Sequence, residues 1–319
     1  MDPIITLKDL METKFPAQTW VVDRLIPASA ITIVSGAPSS YKTWTLLKVA
    51  LSVAKGESLF GQFPTEKTGV LIVDEEDGHS LLQQRLRSLN ADKNLPVSFT
   101  PHKGFMLDDE NVKRVLRSCK TYRVKLLIID SLRRIHGSDE NKSGDMAEVF
   151  RRLGKFTDAG IAVLITQHNR KPGAAFGGYG NEMRGSSDIL AAADCHIGVK
   201  RDGNSVTLNQ TKNRYAEELD PFKLLVVNDS KEFVFEYQGQ SREDGNRVLK
   251  EAILSLFGEI VRMPQKDMLP KLAANGFKTN EHKLKELLAE LELEDKKLGW
   301  TPGRGKSKIW HKIRLASNG

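Results

Sequence analysis

The chain is poor in cysteine and has no long apolar run. Its two cysteines, Cys119 and Cys195, lie far apart and form no CxxC pair. That argues against a disulfide framework or a cysteine zinc site, and both are expected as small buried apolar residues. No apolar run reaches the length needed to cross a bilayer, so no membrane partner is expected. The start, Met1-Asp-Pro-Ile, lacks the basic-then-apolar pattern of a signal peptide, and a cytoplasmic location is the expectation. Neither an internal repeat nor a low-complexity tract is visible. The 319 residues therefore read as one large or two moderate globular domains. Acidic charge is the scarcer sign, with 41 Asp/Glu against 48 Lys/Arg and a net charge of +7. The excess is uneven: residues 241–319 hold 16 Lys/Arg and 11 Asp/Glu, five of those seven charges. A basic last quarter hints at a nucleic-acid partner.

Over the first two-thirds, short β-branched runs alternate with helical patterns. Strands are expected at Ile31–Ser35, Val70–Asp74, Val97–Thr100, Lys125–Asp130, Ile161–Thr166, His196–Lys200 and Val206–Thr211. Phe222–Val227 and Phe233–Tyr237 read as a closing pair. Helices are expected at Trp44–Val53, His79–Leu89, Asp109–Cys119 and Ala147–Asp158. Such alternation predicts an α/β domain with a mostly parallel sheet and helices on both faces, over residues 1–237. Ligands of such folds sit at the carboxyl ends of the strands. A polar, glycine-containing stretch, 238–246, reads as a linker. Residues 247–315 then give helical patterns at Arg247–Phe257, Gln265–Ala274 and Glu281–Leu293, followed by a strand, a basic glycine-rich turn and another strand. Three helices and a basic hairpin predict a winged-helix-like domain that holds DNA or a partner.

The most informative stretch is Gly36-Ala37-Pro38-Ser39-Ser40-Tyr41-Lys42-Thr43, between an apolar strand and an apolar helix that opens at Trp44. This is the setting of a phosphate-binding loop. Its backbone N–H groups wrap phosphates, and the helix N-terminus adds partial positive charge. Lys42 is expected on the β/γ-phosphates of ATP, and the Thr43 hydroxyl on Mg²⁺. One position departs from GxxxxGK[ST]: Tyr41 stands where the second glycine is expected.

The strand Val70-Leu-Ile-Val ends in Asp74-Glu75-Glu76-Asp77. A carboxylate there can orient and polarise an attacking water; Glu76 is favoured, with Glu75 as runner-up. Lys125-Leu-Leu-Ile-Ile-Asp130 has the Walker B form, with Asp130 expected to help hold Mg²⁺. A further strand ends in Gln167-His168, either of which is a candidate sensor of the γ-phosphate. Between Arg170-Lys171 and Arg184 lies a glycine-rich loop carrying Phe176 and Tyr179. Its charge and aromatic residues suit single-stranded DNA, by phosphate tracking and base stacking. Lys212-Asn-Arg214 is a cation pair near a strand end that can reach a neighbouring subunit's γ-phosphate.

Taken in order, these residues resemble a RecA-like ATPase. More narrowly, they resemble the plasmid RepA-type hexameric helicases and their mobile-element and phage relatives. The most specific string is Asp130-Ser-Leu-Arg-Arg-Ile-His136, then Glu140-Asn-Lys-Ser-Gly144, Gln167-His168 and Arg184-Gly-Ser-Ser; the resemblance spans roughly residues 15–240. It implies a RecA-like core, Glu76 as catalytic carboxylate, loop 170–183 facing DNA in a central channel, and a homo-oligomeric ring with ATP between subunits. The trans-acting cation is left among Arg214, Lys212 and Arg184. Arg304, Lys306 and Lys308 of the basic turn are expected to hold duplex DNA or a replication partner. Open alternatives are a loader ATPase without unwinding activity, an ATP-dependent DNA-binding initiator or regulator, and a KaiC-like signalling ATPase.

Overall fold

The computed structural model describes residues 4–100, 104–140, 142–169, 187–229, 232–240, 249–250, 252–257, 262–275, 279–293, 298–303 and 308–312. The chain divides into two compact units between Gly239 and Gln240.

The first unit is built on a nine-stranded sheet. A two-stranded ladder, β1 (Trp20–Val22) and β2 (Ile26–Pro27), precedes it. The sheet strands are β3 (Ile31–Gly36), β4 (Gly69–Asp74), β5 (Val97–Phe99), β6 (Val124–Asp130), β7 (Ala162–His168), β8 (Cys195–Asp202), β9 (Ser205–Asn213), β10 (Phe222–Asn228) and β11 (Phe233–Gln240). Their order across the sheet is β11-β10-β9-β8-β3-β7-β6-β4-β5. From β8 to β5 every pairing is parallel; β9 and β10 continue the sheet antiparallel. The expected mostly parallel α/β sheet is what forms.

Side chains alternate across the parallel strands with a period of two, and both faces are apolar. Val34, Val70, Ile72, Leu126, Ile128 and Leu164 pack on one face, beneath α2 (Lys42–Lys55) and α3 (His79–Ser88). Ile33, Leu71, Val73, Leu127, Ile129 and Val163 pack on the other, with α4 (Asp109–Thr121), α5 (Ser143–Asp158) and α6 (Ser187–Ala192). Cys119 and Cys195 are both buried, as expected. Helix α5 starts earlier than the periodicity suggests. The short helix α1 (Leu7–Glu12), capped by Thr6, buries none of its residues.

The second unit holds a helical stretch within 249–255, then α7 (Met268–Ala274) and α8 (Glu281–Leu293). A three-stranded antiparallel sheet completes it, in the order β12 (Arg262–Pro264), β14 (Lys308–Lys312), β13 (Leu298–Pro302). Leu272, Leu287, Leu288, Leu298 and Trp310 form its core. Two expectations need correction. Residues Gln265–Asp267 form a 3-10 turn rather than the first turn of α7, because the chain arrives from a strand ending at Pro264. Residues 238–240 belong to β11, not to the linker, since sheet pairing continues past the last apolar side chain; 241–246 lie outside the described residues. Among the described residues no helix is long and apolar enough to cross a membrane.

His196 on β8 is fully buried, with Nε2 2.9 Å from Ser35 Oγ and Nδ1 2.5 Å from Thr211 Oγ1. Burial first, then the nearby Lys212 charge, push its pKa down to about 4. The unfolded chain therefore takes up the proton earlier, and the contribution of neutral His196 is lost as pH falls from about 6.5 toward 4. Asp74, pushed up to about 6, works in the opposite sense, so only a comparison with a variant isolates the histidine. Between pH 7 and pH 5, wild type should lose about 2 kcal/mol more than His196→Gln. Chemical denaturation at both pH values checks this, and parallel pH dependences would contradict it.

Candidate functional site

Strands β3, β4, β6, β7 and β8 bring their carboxyl ends to one edge of the sheet, with Gly36 level with His168 and Val199, and Asp74 level with Asp130. The loop from Gly36 to Thr43 starts there. A Cβ at Gly36 would lie 2.6 Å from the Val199 carbonyl oxygen and 2.7 Å from Ser40 Oγ, so only glycine fits. Ser39 (φ 60°) and Tyr41 (φ 68°) are both left-handed. A side-chain-bearing residue in that region costs roughly 1–2 kcal/mol, which explains the usual glycine at the Tyr41 position. Tyr41 also caps α2, and no side chain caps that helix end. Its first N–H groups are left for an anion. Ser40 Oγ is buried without a hydrogen-bond partner. These groups fit a polyphosphate.

Lys42 Nζ donates to the Gly36 and Ala37 carbonyls, at 2.9 and 2.8 Å. Burial lowers its pKa, opposed by the charges of Asp130 and Glu76. Thr43 Oγ1 donates to Asp130 Oδ2 at 2.7 Å, and Thr166 Oγ1 donates to Oδ1. Asp130 is buried, and burial pushes its pKa up while the two hydroxyls pull it back. A buried carboxylate beside a threonine hydroxyl is a hard oxygen pair that fits Mg²⁺. Among the described residues, no cluster of three or more His, Cys, Asp or Glu suggests another metal.

Glu76 and Glu75 part company. Glu76 accepts from Ser131 Oγ at 2.8 Å, and its Oε1 lies 3.5 Å from His168 Nε2. The His168 ring, then the Ser131 hydroxyl, hold its pKa down to about 2 against desolvation. Glu75 instead accepts from the Gly104 N–H at 2.9 Å and is buried. In the bend after β4 the two carboxylates therefore go to different partners: Glu75 anchors the backbone at Gly104, and Glu76, beside Ser131 and His168, is the better placed of the two candidates. Asp74 accepts from the backbone N–H groups of Glu76 and Asp77, both at 2.8 Å, and fixes the turn that presents Glu76. Asp77 pairs with Arg85, whose guanidinium lies 5.6 Å from the Trp44 ring centroid. Trp44 stacks on Phe233 at 3.8 Å.

Gln167 is buried and donates to Glu140 at 3.2 Å, and His136 Nε2 lies 4.0 Å from the same carboxylate oxygen. Glu140 and His136 belong to the string that carried the resemblance, but their convergence on Gln167 depends on the fold. Lys212 Nζ donates to the Leu190 and Ala191 carbonyls, both at 2.9 Å, and Arg214 pairs with Asp194 at 3.0 Å. Lys308 Nζ sits 4.1 Å from the Trp300 ring centroid and 5.5 Å from that of Trp310. Arg170, Lys171, Phe176, Tyr179, Arg184, Arg304 and Lys306 lie outside the described residues. Arg201, singled out by no motif, lies 4.3 Å from the Tyr41 ring centroid.

Residues 4–174 match the family model described as AAA domain. That stretch contains the Gly36–Thr43 loop, Glu76, Asp130, Gln167 and His168, and ends before β8.

Glu76→Gln should lower ATP turnover by about 10²–10⁴-fold while nucleotide still binds. Glu75→Ala should instead cost about 1 kcal/mol of stability, through the lost hydrogen bond to the solvent-accessible Gly104 N–H, with turnover largely kept. Steady-state kinetics and thermal melts on both variants separate the roles. Equal loss of turnover would contradict the assignment.

Proposed function

Because the chain belongs to the AAA-domain family of P-loop ATPases, we propose that it is an ATP-driven DNA motor, a ring-forming replicative helicase of a plasmid, phage or other mobile element. ATP lies on the Gly36–Thr43 loop, with Lys42 and the open end of α2 on its phosphates. Thr43 and Asp130 would hold Mg²⁺, which neutralises charge on the phosphates when bound. Glu76, ionised at neutral pH, accepts a hydrogen bond from the attacking water and turns its lone pair toward the γ-phosphorus. His168 ends β7 two residues before residue 170 and touches Glu76, so it is the link through which the proposed DNA loop would act on the water-orienting carboxylate.

The observation that carries the ring reading is the position of Lys212 and Arg214. Lys212 is level with His196, and His196 with Ile33; the Arg214 N–H bonds the Asp194 carbonyl, and the Asp194 N–H bonds that of Ile31. The chain's own phosphate loop leaves β3 at Gly36, three residues beyond Ile33 and five beyond Ile31, or about 10 Å from the level of Lys212 and about 16 Å from that of Arg214. Neither cation suits its own nucleotide, and a role on phosphate calls for a neighbour's. A hexamer, with single-stranded DNA in the channel, follows the family resemblance. Support for a DNA-holding winged-helix-like second unit is its net charge and its helices packed on a three-stranded sheet. Lys308 does not project freely there; its ammonium is held over two indoles.

ATP turnover with and without single-stranded DNA tests the motor reading, with Glu76→Gln as blank. Stimulation by DNA is expected. Turnover indifferent to DNA would favour the loader or the ATP-dependent initiator instead. Mixing Arg214→Ala with Glu76→Gln subunits should restore part of the activity, because some interfaces regain both groups. No recovery in confirmed mixed rings would remove Arg214 as the trans-acting cation.

A further inference from the structure

We infer that Arg201 is a positioning residue of the nucleotide site, holding Tyr41 in the left-handed conformation that glycine adopts there unaided. The inference rests on reading Gly36–Thr43 as that site. Strand β8 lies beside β3 in parallel, with Val199 level with Gly36, so Arg201 emerges two residues further on, next to the phosphate loop. Its guanidinium carbon lies 4.3 Å from the Tyr41 ring centroid. NH1 donates to the Ser39 carbonyl at 3.3 Å, and Nε donates to the Gly203 carbonyl at 2.8 Å, which anchors the side chain at its own turn. Ser39 and Tyr41 are the two left-handed residues of the loop, and Arg201 touches both. Phe233 meets the Tyr41 ring from another direction, edge-on, with centroids 5.6 Å apart. Tyr41 is thus gripped by a cation and an aromatic ring, each favouring its present position.

Sheet order sets what this grip can affect. Glu76, Asp130 and Gln167 follow or lie on β4, β6 and β7, on one side of β3, whereas Arg201 lies on β8, on the other. Loss of Arg201 should therefore weaken nucleotide binding and spare the chemical step. The loss should also depend on Tyr41, because glycine needs no support in that conformation.

The test is equilibrium titration of fluorescent ADP onto wild type, Arg201→Ala, Arg201→Lys, Tyr41→Gly and the Tyr41→Gly/Arg201→Ala double variant, with turnover at saturating ATP. Arg201→Ala should weaken binding about three- to fivefold with little change in kcat. Arg201→Lys should restore little, since a compact hydrated ammonium stacks poorly on a ring. In the Tyr41→Gly background, adding Arg201→Ala should change affinity by less than about twofold, the non-additivity expected of residues acting through one contact. An equal loss in both backgrounds would mean that Arg201 acts independently of Tyr41 and would overturn the inference. So would unchanged affinity in Arg201→Ala, or a loss confined to kcat. Failure of wild type itself to bind ADP would sink the nucleotide-site reading instead.

Discussion

A carboxylate cut off from water is the fixed point of this molecule. Asp130 ends a buried apolar strand and receives two hydroxyl hydrogen bonds, from Thr43 and Thr166. Those two partners stand at the start of α2 and near the end of β7. One side chain therefore ties the start of α2, β6 and β7 into one assembly. Burial alone disfavours the charge, and the hydroxyls compensate only in part. A site carrying that imbalance suits a divalent cation. Lys42 fits the same logic: its ammonium occupies loop carbonyls within reach of the Asp130 and Glu76 charges.

Around this centre, the acidic residues at the end of β4 and in the bend that follows have different partners and different tasks. Asp74 turns the backbone, Glu75 pins the chain near Gly104, and Glu76 points at Ser131 and His168. Four acidic residues in a row thus read as separate devices rather than one solvated patch. The β8–β9 hairpin adds length to this arrangement. One end carries Arg201 at the phosphate loop; the other carries Lys212 and Arg214, held by α6 carbonyls and Asp194.

Much of the sheet was legible in the chain because its strands are β-branched runs buried on both faces, bounded by polar turns. The phosphate loop and Asp130 were legible for the same reason: each sits where an apolar strand stops. The rest depends on information that a linear pattern does not carry. Strands β1, β2 and β12 are two or three residues long, and β2 and β12 include proline, too short for any periodicity to emerge. The difference between Glu75 and Glu76 lies in tertiary partners, Gly104 for one and Ser131 with His168 for the other. The meeting of His136, Glu140 and Gln167, and the placement of Arg201 against Tyr41, join segments brought together only by folding. Tyr41 looked like a flaw in a motif, whereas in the fold it has an aromatic ring and a guanidinium as partners.

The central claim is that Asp130 organises the nucleotide site around a cation. The most direct measurement is isothermal titration of ADP, with and without Mg²⁺, onto wild type and Asp130→Asn. Wild type should gain affinity when Mg²⁺ is present, and Asp130→Asn should lose that gain, because an amide offers the cation no charge. A variant that keeps the full Mg²⁺ dependence would contradict the account and move the cation site away from β6.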